Sequence, residues 1–372
     1  MKNVKLGTLG DIFIGLTYRP DDVSANGTVV LRSSNIQEGQ LDFADTIRVN
    51  CKIRENLFVK ENDILMCSRN GSAKLVGKCT LIPKLNEDMT FGAFMTIIRT
   101  SHNAYLQHFF NSTAFRTQIK GSATTTINQI TRKMLDDIDV PIFDTNEEKH
   151  IVETFDKLTH LIALRTEQLK KLDELVKSRF IELFGDRYIN DRKWDIKQLK
   201  ECAEFYNGKA HEQVVDENGE YILVTSRCIA SDITDYRRTN ELLFPLHIDD
   251  IAMVMSDVPN GKALAKCILI DADQKYTLNQ RICCFRSYSF NPIFFYHLLN
   301  RHEYFLSFND GNAQTNLRKD DLLACNIICP PLDLQNEFAT FVEQTDKLKF
   351  EVKEALEKLE TLKKSLMQQY FG

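Results

Sequence analysis

Residues 147–184, EEKHIVETFDKLTHLIALRTEQLKKLDELVKSRFIELF, contain neither Gly nor Pro and are dense in Leu, Glu and Lys. Ile151, Phe155, Leu158, Leu161, Ile162, Leu169, Leu172, Leu175 and Val176 recur at steps of three and four, the period of one long amphipathic helix. At 1.5 Å per residue the helix is roughly 57 Å long. That is too long to bury its stripe inside an ordinary domain, so it needs a partner helix. Residues 334–371 supply one. There Phe338, Phe341, Leu348, Val352, Ala355, Leu359, Leu362 and Leu366 fall on the alternating spacing of a coiled coil. The two segments match at a constant offset, Ile151 on Phe338, Leu161 on Leu348, Leu172 on Leu359 and Leu175 on Leu362. Phe184-Gly185 falls on Phe371-Gly372, so both helices are expected to end at a glycine.

The match extends beyond the helices. Leu6, Ile12 and Gly15 return as Leu199, Phe205 and Gly208, and VVLRSSNI (29–36) returns as YILVTSRCI (221–229). NDILMCSRNGSAKLVGKCTLI (62–82) pairs with DDIAMVMSDVPNGKALAKCILI (249–270), each read as strand, Gly-centred turn, strand. Two aromatic-rich helical stretches follow (104–115 and 291–305), then the Gly-led loops GSATTTINQ and GNAQTN. A period this long is a domain repeat rather than a solenoid. The expected boundaries are 1–142 and 188–332 for two similar α/β globes, with spacer helices at 143–187 and 333–372. The fold class is α+β, an internal duplication with antiparallel helices and a pseudo-two-fold axis.

At 372 residues, with 43% hydrophobic and 27% charged residues, the chain reads as an ordinary soluble protein of two or three domains. No run of 18 apolar residues predicts a membrane span, and MKNVKLGTLGD lacks the apolar centre of a signal peptide. Ten cysteines without framework spacing predict buried thiols in a reducing cytoplasm. Cys325 and Cys329 alone approach metal-ligand spacing, in an apolar run that favours core thiols. The net charge is −5, yet residues 1–142 carry 17 Lys and Arg against 14 Asp and Glu. If nucleic acid is bound, a basic partner must supply much of the phosphate attraction.

Two similar but non-identical domains suit a bipartite linear target, since half-site spacing follows from protein geometry. This organisation resembles the specificity subunit of type I restriction–modification enzymes. The resemblance rests on the duplicated layout, the LVGKCTLI and ALAKCILI strands, the GSATTTIN and GNAQTN loops, and helices ending SRFIELFG and SLMQQYFG. It implies that each globe is a target-recognition domain for one half of a split double-stranded DNA site. It also implies that the helices set the gap and dock two modification subunits, which carry the adenine methyltransferase and its S-adenosylmethionine. Restriction subunits complete the full complex, and the specificity subunit itself does no chemistry. Consistently, the chain has no G-x-G-x-x-G opening a βαβ unit and no phosphate loop. Asn291-Pro292-Ile293-Phe294 resembles a methyltransferase N-P-P-[YF] motif but reads better as a helix start.

Base reading needs paired donors and acceptors, and loops on a rigid scaffold are where these belong. The candidates in the first globe are Arg32, Ser34 and Asn35, then Arg69, Asn70 and Lys74, then Thr124, Thr126, Asn128 and Gln129. In the second they are Ser226 and Arg227, Asn260 and Lys262, and Gln314, Thr315, Asn316 and Arg318. Tyr18, Arg19 and Lys209 are phosphate candidates, and Lys78 and Lys266 align between copies in a shared structural or phosphate role. The plain alternatives are an Asn-Gly hairpin turn with positive φ, helix capping by the Thr and Asn residues, and surface ion pairs for the arginines. On the helices, Phe155, Ile162, Leu169, Val176 and Phe180 lie off the seam Ile151, Leu158, Leu161, Leu172 and Leu175 that matches the second helix, and form the expected partner-binding strip. The competing reading is a non-catalytic coiled-coil adaptor that binds proteins instead of DNA.

Overall fold

The structure, a computed structural model, describes residues 2–37, 39–121, 128–258, 261–309, 311 and 314–372. Two units are distinguished: residues 1–166 with 353–372, and residues 167–352.

In the first unit Gly10–Ile14, Met95–Thr100, Ile64–Cys67 and Cys79–Leu81 form an antiparallel four-stranded sheet in that order. Ile47–Val49, Val23–Leu31 and Met89–Phe91 form a mixed three-stranded sheet whose last pair is parallel. Lys2–Lys5 pairs antiparallel with Asp139–Ile142. The second unit repeats all three arrangements. Its four-stranded sheet runs Glu204–Asn207, Ile282–Arg286, Ile251–Val254, Cys267–Leu269. Its mixed sheet runs Arg237–Thr239, Tyr221–Val224, Tyr276–Leu278, and Ile196–Gln198 pairs with Asn326–Ile328. The duplication read from the sequence is therefore a duplication of strand order, in an α+β fold.

The alternation of a strand explains why ILMC and IAMV are apolar throughout. Ile64 and Met66 face the core that holds the helices, while Leu65 and Cys67 face a second core under the mixed sheet. Ile251 and Met253 against Ala252 and Val254 do the same. Each sheet is fastened by one buried carboxylate. Arg99 donates from Nε and Nη2 to Asp63 at 2.7 and 2.6 Å, and Arg286 does so to Asp250 at 2.7 and 2.6 Å. Both guanidinium pKa values rise, chiefly through that side-chain hydrogen bond.

The segments read as helical carry helices at Asn103–Phe110, Thr113–Gly121, Pro292–Leu299 and Glu303–Leu306. Asn291 is an N-cap, its Oδ1 accepting from the N–H groups of Ile293 and Phe294 with Pro292 in the first turn. The long helices span Thr145–Phe184 and Leu332–Phe371, and Gly185 follows the first at φ +75°. Within each unit their segments run antiparallel. In the first, Phe155 stacks on Phe371 and Lys363 donates to Thr159 at 2.9 Å. In the second, Phe180 meets Phe338 edge-on, Arg179 pairs with Glu337 and Lys349 with Asp173.

The seam differs from the expected one. Phe155, Val176 and Phe180 are buried within their own units, and Ile162 and Leu169 are half-buried. They form the helix–helix seam and not a free strip. Leu161, Leu175, Leu348 and Leu362, assigned to the seam, are exposed. The reason is heptad geometry. Positions 151, 158, 165 and 172 interleave with 155, 162, 169 and 176 as one a/d stripe. Leu161 and Leu175 sit beside that stripe.

Candidate nucleic-acid interface

In the first unit Tyr18 and the first predicted loop line a cleft of about 660 Å³, with Arg32, Ser33, Ser34, Asp45 and Phe94 in its wall. Asn70 Nδ2 donates to Ser33 Oγ at 3.2 Å, tying the second loop to the first. Arg69 and Gln129 form a backbone bridge, and Asn128 Nδ2 donates to the Gly71 carbonyl at 2.9 Å. Three separate stretches of sequence thus meet on one surface. Arg32 pairs with Asp45 at 2.9 Å, and the Arg69 guanidinium lies over the Phe94 ring at 5.4 Å. Arg32 Nε and Ser34 Oγ are buried without a partner among the described residues. Such groups cost about 1–3 kcal/mol each unless something satisfies them. Arg19 and Lys74 are exposed, with Arg19 N–H bonded to Asp22.

The second unit builds the corresponding surface. Ser256–Asp257 pairs antiparallel with Thr315–Asn316, the counterpart of the Arg69–Gln129 bridge. Gln314 Nε2 donates to Ser256 Oγ at 2.7 Å. Arg227 pairs with Asp235 at 2.5 Å, while Ser226 opens a short helix capped by Thr225. Lys209, Lys262, Asn316 and Arg318 are exposed. Thr124, Thr126 and Asn260 lie outside the described residues.

Four candidates hold the scaffold instead. Asn35 is fully buried: its Oδ1 accepts from Arg32 N–H at 2.8 Å, and its Nδ2 donates to the Asp42 and Asp45 carbonyls at 2.9 and 2.8 Å. Lys78 donates inward to the Ile36 carbonyl. Its counterpart Lys266 donates to the Ala230 carbonyl at 3.0 Å and pairs with Asp232. Thr315 is buried and donates to Asn309 Oδ1 at 3.1 Å. The Asn70-Gly71 turn also differs from expectation, because the positive φ lies at Gly77 (+81°) and its counterpart Ala265 (+55°).

The duplicated turns Gly92–Phe94 and Asn279–Arg281 were missed from sequence. Phe94 is 58% exposed, and Arg281 is exposed at φ +69°. The signal for them was available only as the position facing Gly15 and Gly208 once the copies were aligned.

A family model described as "Type I restriction modification DNA specificity domain" matches residues 1–174 and residues 191–363. The chain belongs to this family. Among curated specificity subunits, that of the StySPI enzyme of Salmonella potsdam is 28% identical over 182 residues, 46% of this chain and 39% of that one. That of the EcoKI enzyme of Escherichia coli is 26% identical over 181 residues, with the same coverage of 46% and 39%. The chain spans about two fifths of the length of these two relatives. The MjaVIII specificity subunit of Methanocaldococcus jannaschii is 23% identical over 343 residues, 84% of this chain and 79% of that one. A crystal structure of the type I S subunit from M. genitalium shares the fold with a TM-score of 0.59 at 14% identity, covering 100% of this chain and 96% of that one. A chain from a study of complex assembly and conformational transition of the type I R-M system gives 0.60 at 15%, covering 100% and 97%. The two matched segments of the specificity-domain family correspond to the two copies of the strand order described above.

Proposed function

We propose that this chain is the DNA-recognition subunit of a type I restriction–modification complex and is itself non-catalytic. Residues 1–142 and 188–332 act as target-recognition domains, each reading one half of a bipartite double-stranded site. The long helices set the gap. The observation that carries this reading is a cleft lined by Tyr18, Arg32 and Ser34, to which Asn70 is tied through Ser33 and Gln129 through the Arg69 bridge, in a chain of the specificity-domain family. Half-buried hydrogen-bonding side chains around such a cleft supply the paired donors and acceptors that base reading requires. Phosphate contacts fall to Arg19, Lys74, Lys209, Lys262 and Arg318.

Two modification subunits dock on the helices and bring the adenine methyltransferase with its S-adenosylmethionine; restriction subunits join them in the full complex. In support, Leu161 and Leu164, Leu175 and Ile181, and Leu348 and Phe350 are exposed on the long helices. Bare apolar side chains in such number mark a protein contact. The assembly works in the cytoplasm, where it meets DNA, and no described helix is long and apolar enough to cross a membrane.

The test is single-molecule sequencing of host DNA after co-expression with a modification subunit. A split methylated-adenine motif with a fixed gap, absent without this chain, is the expected result. A demonstrated complex with an active methyltransferase that yields no such motif would overturn the proposal in favour of a protein-binding adaptor.

A further inference from the structure

We infer that Phe94 and Arg281 are specificity-determining residues at equivalent turn tips, Phe94 reading a thymine methyl and Arg281 reading a guanine. The inference rests on the DNA-recognition function proposed above. The two tips hang from matching backbone bonds. Gly92 N–H donates to the Leu31 carbonyl at 3.0 Å, and Asn279 N–H to the Val224 carbonyl at 3.1 Å. Ser68 N–H donates to the Phe94 carbonyl at 2.9 Å, and Met255 N–H to the Arg281 carbonyl at 3.1 Å. From the other side, Leu16 N–H reaches the Phe91 carbonyl and Lys209 N–H the Leu278 carbonyl, at 2.7 and 3.0 Å. Each tip is therefore clamped between the segment that follows Gly15 or Gly208 and the loop that carries the other candidates.

What the clamps present is entirely different. Phe94 exposes a ring beside Arg69, Arg32 and Tyr18. Arg281 exposes a guanidinium that makes no hydrogen bond or ion pair with any described residue. Beside it, Asn279 Oδ1 is buried and unpartnered among the described residues. Residues shared by the two copies cannot distinguish two half-sites, whereas an equivalent position with divergent chemistry can. A phenyl ring has no donor for phosphate, so its contact is apolar, and the thymine methyl is the apolar feature of the major groove. An unpaired guanidinium fork matches guanine O6 and N7.

The experiment compares Phe94→Ala, Arg281→Ala and Arg281→Lys in the complex with the modification subunit, reading methylated motifs by sequencing and discrimination by competition binding. The expected result is relaxation of one position in one half of the motif for Phe94→Ala, and of one position in the other half for both Arg281 variants. Discrimination at that position should fall about 5- to 150-fold. Unchanged motifs in all three would overturn the inference while leaving the DNA-recognition function standing. So would a uniform loss of affinity on every sequence with a shallower salt dependence, the mark of a phosphate contact. A wild-type complex without any split motif would remove the function and the inference together.

Discussion

Asn35 shows how a residue with the chemistry of a base reader can be wholly occupied by its own fold. Its amide closes a short turn by bonding three backbone groups. Asn35→Ala should therefore cost about 2–3 kcal/mol in urea unfolding, since it strands buried partners, and should leave the recognised bases unchanged. The Asp63 carboxylate carries more. It is 1% exposed and held twice by Arg99, so Arg99→Ala leaves a buried charge unpaired and should destabilise the chain by about 3–5 kcal/mol. Neither role was legible from sequence, because the partners of Asn35 are carbonyls at 42 and 45 and the partner of Arg99 is 36 positions away. The loops themselves were legible. Polar stretches after apolar strands announce an exposed rim, and Asn70, Asn128 and Gln129 do meet there.

At the scale of elements, continuous apolar tetrads such as ILMC and IAMV made the central strands readable, since only a sheet covered on both faces needs them. The helices were readable in extent and direction, but their seam was not. Steps of three and four fit two adjacent stripes, and only packing chooses between them. The choice is testable: Phe155→Ala should cost about 3–5 kcal/mol, whereas Leu175→Ala should stay within about 0.5 kcal/mol, both by urea midpoint. The helix Pro292–Leu299 and the cap of the helix Glu303–Leu306 add a pH dependence. Burial lowers the His297 pKa to about 4, helped by Lys349 and Arg187, and burial also lowers that of His302 to about 4. Both are neutral in the fold, while the unfolded chain takes up protons near pH 6.5. Stability is then complete above pH 6.5, declines as pH falls towards 4, and levels off below. Each histidine contributes up to about 3 kcal/mol of that loss. Urea midpoints at pH 7.5 and 4.5 should differ accordingly, and His297→Gln should shrink the difference.

For the whole molecule, the copies agree in strand order, buried Arg–Asp clamps and helix-end aromatics, and diverge in what their loops present. Replacing residues 188–332 with the equivalent segment of another specificity subunit should therefore change one half of the methylated motif and preserve the other. Methylome sequencing of the chimera reads this directly. A change in both halves would show that the copies do not read independently.

Phe371 packs on Tyr105, Phe109 and Phe155 in the core of the first unit, and that unit takes in residues 353–372. The ribosome consequently makes the whole of the second unit before it makes the segment that completes the first. At 5–20 residues per second the interval is about 10–40 s. During that time the nascent first unit presents an unfilled aromatic socket, and a chain stalled or clipped before residue 353 would damage residues 1–166, made before the second unit.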